Sequence, residues 1–327
     1  MKANEPLIEL VNVSKEYQIR NRSNPFRKKS IQAVNGMDLS IYPGEIFGLV
    51  GESGCGKSTV GQMLAGLLPQ SSGEILYRGK SSRCMTAEER KAMRREIQIV
   101  LQDPYASLNP KRKIGWLIEE PLVINTRLGR QKRTRLVEEM IETVGLDTGY
   151  LQRYPHELSG GQRQRVNIAA ALMLDSRLLV ADESVSALDV SIQSQILNLL
   201  RKLKETRNLT YLFISHDLNV VQYMSDRIGV MYLGRLVEYG SVQEIYENAQ
   251  HPYTQALLST IPSVTETGRN RIVLEGEVPS LLNPPSGCAF HTRCRRAGAL
   301  CEKTIPEWKQ TGDSHFVCCF FDGRKEN

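Results

Sequence analysis

Gly51-Glu52-Ser53-Gly54-Cys55-Gly56-Lys57-Ser58-Thr59 is the stretch from which the rest of the chain can be read. It has the form G-x-x-x-x-G-K-S of a phosphate-binding loop. The apolar run Ile46 to Val50 before it reads as a buried strand, and Thr59 to Leu67 after it is compatible with a helix. That strand–loop–helix order is the setting the chemistry requires. Glycines let backbone N–H groups approach phosphate oxygens closely. A helix N-terminus adds positive dipole. Lys57 can reach the β- and γ-phosphates of a nucleotide, and the Ser58 hydroxyl can ligate Mg²⁺. A Gly-rich turn without function would not need the flanking elements.

Working outward, Gln102 follows a buried strand, Ile97 to Leu101, and the next residues, Asp103-Pro104-Tyr105-Ala106-Ser107-Leu108-Asn109-Pro110, are rich in turn formers. Ile114 to Val144 is helical in pattern. Leu158-Ser159-Gly160-Gly161-Gln162 opens a second helix, Arg163 to Leu174, with Ser159 as N-cap and two glycines exposing an N-terminus suited to an anion. Residues 177–183 form an apolar strand that ends in Asp182 and Glu183. Asp182 is placed to hold Mg²⁺, directly or through water. Glu183 is placed to polarise an attacking water. Read alone, the two carboxylates could be a salt-bridged pair at a helix start; the phosphate loop upstream argues against it. Ser186-Ala187-Leu188-Asp189 leads into the helix Ile192 to Lys204, and Tyr211 to Ser215 is another apolar strand with His216 at its end. A lone His is usually structural, but at the carboxyl edge of a parallel strand it is placed to sense the γ-phosphate. Residues 228–239 read as a hairpin around Gly234-Arg235, 241–248 as a helix, and His251-Pro252-Tyr253-Thr254 as the cap of a further helix, Gln255 to Thr260. Upstream, residues 7–19 alternate enough for one or two edge strands, 31–42 read as a strand, and 20–30 (Arg20, Arg22, Pro25, Arg27, Lys28, Lys29) as a solvated basic loop, with phosphate or lipid contact as the alternative.

The chain has 327 residues, 41% of them hydrophobic, enough for a sizeable core and one or two domains. A net charge of +6 suits nucleotide, nucleic acid or an anionic membrane surface and selects none of them. No apolar run approaches the roughly 20 residues needed to span a bilayer. The start, MKANEPLIEL, lacks the apolar core of a signal peptide, so a cytosolic location is expected, with membrane association through a partner. Cys288, Cys294, Cys301, Cys318 and Cys319 crowd into the last tenth of the chain. In a cytosolic protein such spacings suit an iron–sulfur centre or zinc more than disulfides, the remaining alternative being packed thiols.

The order of the phosphate loop, Gln102, LSGGQ (158–162), Asp182-Glu183, SALD (186–189) and His216 resembles an ATP-binding subunit of ABC transporters. Gln102-Asp103-Pro104 with Ser107-Leu108-Asn109-Pro110, then His251-Pro252-Tyr253-Thr254 and the C-terminal cysteines, are similar to the oligopeptide/dipeptide/nickel importer branch, its F-type subunit most of all. The resemblance spans nearly the whole chain. It implies an α/β P-loop NTPase: a RecA-like core with an antiparallel β subdomain (1–102 and 171–240), a helical signature subdomain (103–170) that receives the permease, and a Cys-rich C-terminal extension (241–327). It implies a head-to-tail dimer with a second, different ATPase chain, nucleotide lying between the phosphate loop of one and the LSGGQ of the other. Two membrane permease subunits and an extracytoplasmic substrate-binding protein would complete the importer, with this chain peripheral on the cytoplasmic face of the inner membrane and no nucleic acid involved.

Residue by residue, the resemblance gives Tyr17 the adenine, and Gly51, Ser53, Gly54, Cys55, Gly56, Lys57, Ser58 and Thr59 the phosphates of ATP. Ser58, Gln102 and Asp182 take Mg²⁺; the catalytic set is Glu183 as carboxylate, His216 as switch histidine and Gln102, which links Mg²⁺ and the attacking water to the helical subdomain. Ser159, Gly160, Gly161, Gln162 and Asp189 serve the opposite ATP site. Cys288, Cys294, Cys301 and Cys319 match the positions of a [4Fe–4S] cluster, zinc being the alternative. One departure is visible: the family usually has Pro after the catalytic Glu, and this chain has Ser184-Val185, which is expected to loosen Glu183 slightly. The expected activity is ATP hydrolysis that powers uptake of di- or oligopeptides. Nickel or another small solute is the alternative cargo. A soluble ABC ATPase working on ribosomes or DNA is disfavoured by the single cassette and the lack of heptads.

Overall fold

The structure, a computed structural model, describes residues 5–20, 28–186, 188–261 and 272–321. Arg22, Pro25 and Arg27 of the basic segment and Ala187 of SALD lie outside the described residues. The strands are β1 (Ile8–Arg20), β2 (Lys28–Ile41), β3 (Ile46–Val50), β4 (Ser72–Tyr77), β5 (Lys80–Ser81), β6 (Ile97–Val100), β7 (Leu178–Asp182), β8 (Thr210–Ile214), β9 (Arg227–Tyr232), β10 (Arg235–Ser241), β11 (Trp308–Gln310) and β12 (Phe316–Cys318).

They form two sheets. The larger runs β11-β12-β10-β9-β3-β8-β7-β6, and its β9-β3-β8-β7-β6 stretch is parallel. Strands β3, β7 and β8 are buried at every position, as unbroken apolar runs covered on both faces must be. Their side chains alternate between two cores. Leu178 and Val180 of β7 join Phe47, Leu49, Val60 and Met63, whereas Leu179 and Ala181 join Tyr211, Phe213 and the helices on the other face. The smaller sheet, β2-β1-β4-β5, is antiparallel. Here β1 is not the edge strand its alternation suggested: it pairs with β2 along its length and with β4 over Ile8–Ser14. Lys28 to Ser30, read as loop, belong to β2.

Between β6 and β7 the described chain is helical, with Ile114–Asn125, Arg130–Thr143 and Gly160–Leu172 packed through Ile118, Ile141 and Val166. The pattern from 114 to 144 is therefore two helices, broken at Thr126 to Gly129. After β10 come the helices Val242–Asn248 and Pro252–Leu258. The tail then returns to the core instead of standing apart. Strand β12 pairs with β10 (Glu238 opposite Val317, Tyr239 opposite Phe316), and β11 pairs with β12. Among the described residues no helix is long and apolar enough to cross a membrane.

Candidate nucleotide-binding site

Parallel strands in this order bring their carboxyl ends to one edge, where ligands of open α/β sheets bind. Val50 runs into the phosphate loop, Val100 into Gln102, β7 ends at Asp182, and Ile214 is followed by Ser215 and His216.

The loop's shape depends on its glycines. Gly54 and Gly56 sit at φ +78° and +107°, and the helix Lys57–Leu64 starts directly after Gly56. A Cβ at Gly56 would lie 2.1 Å from the Ala33 carbonyl oxygen, and one at Gly51 would lie 2.2 Å from that of Met231. The loop is thus wedged between β2 and the end of β9. Lys57 is buried, and its Nζ donates to the carbonyls of Gly51 (2.8 Å) and Glu52 (3.0 Å), spanning the loop from inside. Cys55 is buried with its thiol pushed up by burial, so it acts as a small apolar side chain. Ser53 is exposed on the loop's outer side, as is Ser58, which still reaches inward through its hydroxyl; Thr59 is half-buried on the first helical turn.

Ser58 Oγ donates to Asp182 Oδ1 at 3.0 Å, joining the loop to β7. Burial raises the Asp182 carboxyl above its ordinary value, against the lowering effect of the Ser58 bond, with Glu183 raising it further and Lys57 lowering it. A carboxylate costly to ionise and bonded to the loop hydroxyl is a site that a divalent cation would relieve. The donor set, one hydroxyl and one carboxylate beside a phosphate cradle, fits Mg²⁺.

Glu183 sits at φ +46°, uncommon for a residue with a Cβ. Its N–H donates to Ile214 O at 2.9 Å, so β8 holds it in that turn. Gln102 Nε2 donates to Glu183 Oε2 at 2.9 Å, and His216 Nδ1 stands 3.5 Å from the same oxygen. Glu183, Gln102 and His216, read from three separate stretches, are one constellation here. Tyr17 is exposed, with Lys15 Nζ 5.3 Å from its ring centroid. It pairs with Ile31, two residues from Ala33 at the loop.

The second group of expected residues lies elsewhere. Ser159 caps the helix Gly160–Leu172 in a reciprocal box with Gln162, whose Nε2 also donates to Tyr150 Oη at 3.0 Å. Gly161 has no room for a side chain: a Cβ would lie 2.3 Å from Ile192 Cγ2, and one at Gly160 would lie 3.3 Å from Leu188 Cδ2. LSGGQ therefore packs on Leu188 of SALD and on Ile192 just beyond it. Asp189 is exposed at the start of the helix Val190–Arg207, its side chain making no cap bond. Among the described residues no hydrogen bond joins 159–162 to the phosphate loop.

The sequence reading missed the groups behind the loop. Glu52 N–H donates to Tyr253 Oη at 2.9 Å, and Arg293 grips the Glu52 carboxylate with Nη1 to Oε2 at 2.8 Å and Nη2 to Oε1 at 3.1 Å. Their separations in sequence, 201 and 241 residues, leave no local signal. The cysteines also differ from expectation. Among the described residues no three His, Cys, Asp or Glu side chains are grouped to hold a metal ion. The structure thus does not support the iron–sulfur or zinc assignment. Cys301 and Cys319 are buried, and Cys288 and Cys294 are half-buried against the core that contains Phe290. Burial pushes the Cys288 thiol up to about 11, and those of Cys294 and Cys319 also rise.

A phosphate loop bonded to a strand-end aspartate, with a glutamate, a glutamine and a histidine gathered beside it, defines an ATP-binding cassette. Comparison with known proteins agrees. Residues 34–186 match the ABC transporter family and residues 237–301 the oligopeptide/dipeptide transporter C-terminal region. The chain is 50% identical to the oligopeptide transport ATP-binding protein AppF of Bacillus subtilis (strain 168), over 96% of this chain and 97% of that protein. It is 45% identical to the dipeptide transport ATP-binding protein DppF of Escherichia coli (strain K12), over 99% and 96%. A solved dimeric ATP-binding cassette in a post-hydrolysis state with ADP and phosphate superposes with a TM-score of 0.64 at 28% identity, covering 72% of this chain and 98% of its own. The protein belongs to the ABC-transporter ATP-binding subunits, in the oligopeptide/dipeptide branch.

Proposed function

We propose that this chain is the ATP-hydrolysing subunit of an importer that takes up di- or oligopeptides through a membrane permease. The observation that carries the reading is the convergence of Ser58–Asp182 and Gln102–Glu183–His216 on one phosphate loop. The names of the relatives supply the cargo class.

Lys57 and the loop N–H groups receive the phosphates, with Tyr17 as the adenine contact. Ser58 and Asp182 hold Mg²⁺, assisted by Gln102; when bound, the ion draws charge from the phosphate oxygens. Gln102 and His216 occupy Glu183 Oε2, which leaves Oε1 to take the proton from the attacking water as its oxygen bonds to the γ-phosphorus and ADP leaves. Separation of 159–162 and Asp189 from the loop supports a head-to-tail dimer, in which Ser159, Gly160 and Gly161 of one subunit stabilise charge on the other's γ-phosphate. We assign 1–102 with 171–240 to the core, 103–170 to the signature subdomain and 241–327 to the extension. A cleft of about 290 Å³ whose lining includes Leu101, Leu108, Leu117 and Pro121, next in sequence to Gln102, supports permease docking there. The second ATPase is proposed as a different chain, and the membrane face as the cytoplasmic one.

Recovery of this chain from its native membranes in mild detergent tests the reading. Two permeases and a partner ATPase, with ATPase activity stimulated by peptide-loaded binding protein, are expected. Recovery alone from the soluble fraction, or with ribosomes, removes the transport role and leaves the ATPase. Support for a [4Fe–4S] cluster at Cys288, Cys294, Cys301 and Cys319 is the resemblance alone. Iron, sulfide and zinc analysis after anaerobic purification tests it: zinc without iron, or neither, removes the cluster.

A further inference from the structure

Glu52 is the second residue of the phosphate loop, and each of its polar groups has a partner. Its N–H is taken by Tyr253 Oη (2.9 Å), its carbonyl by Lys57 Nζ (3.0 Å), and its two carboxylate oxygens by the two ends of the Arg293 guanidinium (2.8 and 3.1 Å). Tyr253 is fully buried and Arg293 is 9% exposed. Neither belongs to the ATPase machinery described above. Both lie beyond the hairpin, in the part of the chain after β10.

The tail is built to deliver them. His251 caps the helix Pro252–Leu258, its Nδ1 accepting from the Tyr253 N–H at 3.1 Å, and burial pushes its pKa down to about 4, which keeps that nitrogen an acceptor. Its own N–H donates to the buried Glu238 on β10 at 3.0 Å, and His315, the residue before β12, binds the same carboxylate at 2.7 Å. Phe290 enters an aromatic pocket, 5.2 Å from the Tyr232 ring and 5.4 Å from the Tyr253 ring. The short turn His291–Arg293 follows at once, so the depth of Phe290 sets the reach of Arg293.

A free carboxylate in a phosphate loop would oppose a triphosphate. A two-pronged guanidinium both cancels that charge and fixes the direction of the side chain. We propose that Arg293 and Tyr253 are positioning residues for ATP: the docked tail holds and neutralises Glu52, and nucleotide affinity depends first on that carboxylate being kept from opposing the phosphates. The inference rests on the phosphate loop being the ATP site.

The experiment is displacement of a fluorescent ATP analogue by Mg-ATP on the full chain, alongside steady-state ATPase and thermal melts. Arg293→Gln is expected to raise the ATP Kd and KM about tenfold, 1.4 kcal/mol by the usual conversion, with kcat at saturation within about twofold because no reacting atom is touched. The effect should shrink as salt screens the uncompensated carboxylate. Glu52→Gln together with Arg293→Gln should bring Kd back to within about threefold of the natural chain, since the exposed charge is gone. Tyr253→Phe, which removes only a hydroxyl, should raise Kd about threefold and serves if Arg293→Gln does not fold. The proposal is overturned if Arg293→Gln and Tyr253→Phe lower Tm yet leave Kd and KM unchanged, or if the double variant binds as weakly as Arg293→Gln. Lys57→Ala separates this from the site itself: if the natural chain binds ATP and Lys57→Ala binds it equally well, the site reading fails, whatever the tail does.

Discussion

Replacing Asp182 by Asn is expected to stabilise the nucleotide-free protein and abolish its turnover. Asp182 is buried at the end of β7, and burial raises its folded pKa above the unfolded value. A group with a raised folded pKa contributes stability that is complete below the unfolded value and lost as pH rises through the folded one. For an aspartate the unfolded value is about 3.9, so at neutral pH the carboxylate weakens the empty fold. Asn keeps the oxygen that accepts from Ser58 and carries no charge. The gain should be about 1 kcal/mol, the usual yield of relieving one strained functional group. In a chain of this size that is about 2 °C in Tm. The assay is paired melts from about pH 3.5 to 8. The difference between variant and natural chain should be near zero at the acid end, where both forms are neutral, and grow to a plateau as Asp182 ionises. Saturating Mg-ATP should reverse the order: at a hundred times Kd it adds about 2.7 kcal/mol to the natural chain, and the Asn variant lacks the charge for the ion. A pH-independent difference, or an Asn variant less stable at every pH without nucleotide, would refute the reasoning.

Glu183→Gln preserves an oxygen for Gln102 at the 2.9 Å position but cannot take a proton. Turnover should fall by about 10² to 10⁴ in single-turnover phosphate release, with ATP binding retained. Gly161→Ala places a Cβ 2.3 Å from Ile192 Cγ2, and urea titration should show a loss of about 1–2 kcal/mol, recovered in part when Ile192→Ala is added. Phe290→Ala empties the pocket beneath the Arg293 turn, and at about 3 kcal/mol it should leave the tail open to limited proteolysis with the cassette still folded.

How much of this could be read from the chain depends on the range of the interaction. Gly51 to Thr59 is legible because loop, cradle and cation are contiguous: the spacing itself is the geometry. Strand ends were legible for a related reason. An apolar run that stops at Asp182 or His216 places its polar terminus at the sheet's carboxyl edge, wherever the neighbouring strands fall. That logic set Glu183 and His216 at one sheet edge and the resemblance added Gln102, but the oxygen all three share, Glu183 Oε2, became visible only in the fold. Pairing across hundreds of residues carries no such signature. Nothing in Phe316 to Cys318 says that it extends the sheet through β10, and nothing in Arg293 names Glu52 as its partner. The same limit explains β1, whose alternation records one covered face but not how many strands flank it.

Ser184 shows the converse, a local rule outweighed by surroundings. With no Pro after Glu183, a looser carboxylate is the expectation from φ alone. The structure instead holds Glu183 through three of its groups: its N–H by Ile214 on β8, its carbonyl by both the N–H and the hydroxyl of Ser186 at 3.1 and 2.9 Å, and its carboxylate by a bond from Gln102, with His216 3.5 Å away. A left-handed residue costs roughly 1–2 kcal/mol, and bonds worth about 1 kcal/mol each offset it without help from a ring. Residue 184 is then free to vary as long as it stays small enough for its buried place, and the turn is carried by β8 and Ser186. Those bonds come from the same strand edge that gathers the phosphate loop, so the device that forms the site also fixes the Glu183 carboxylate.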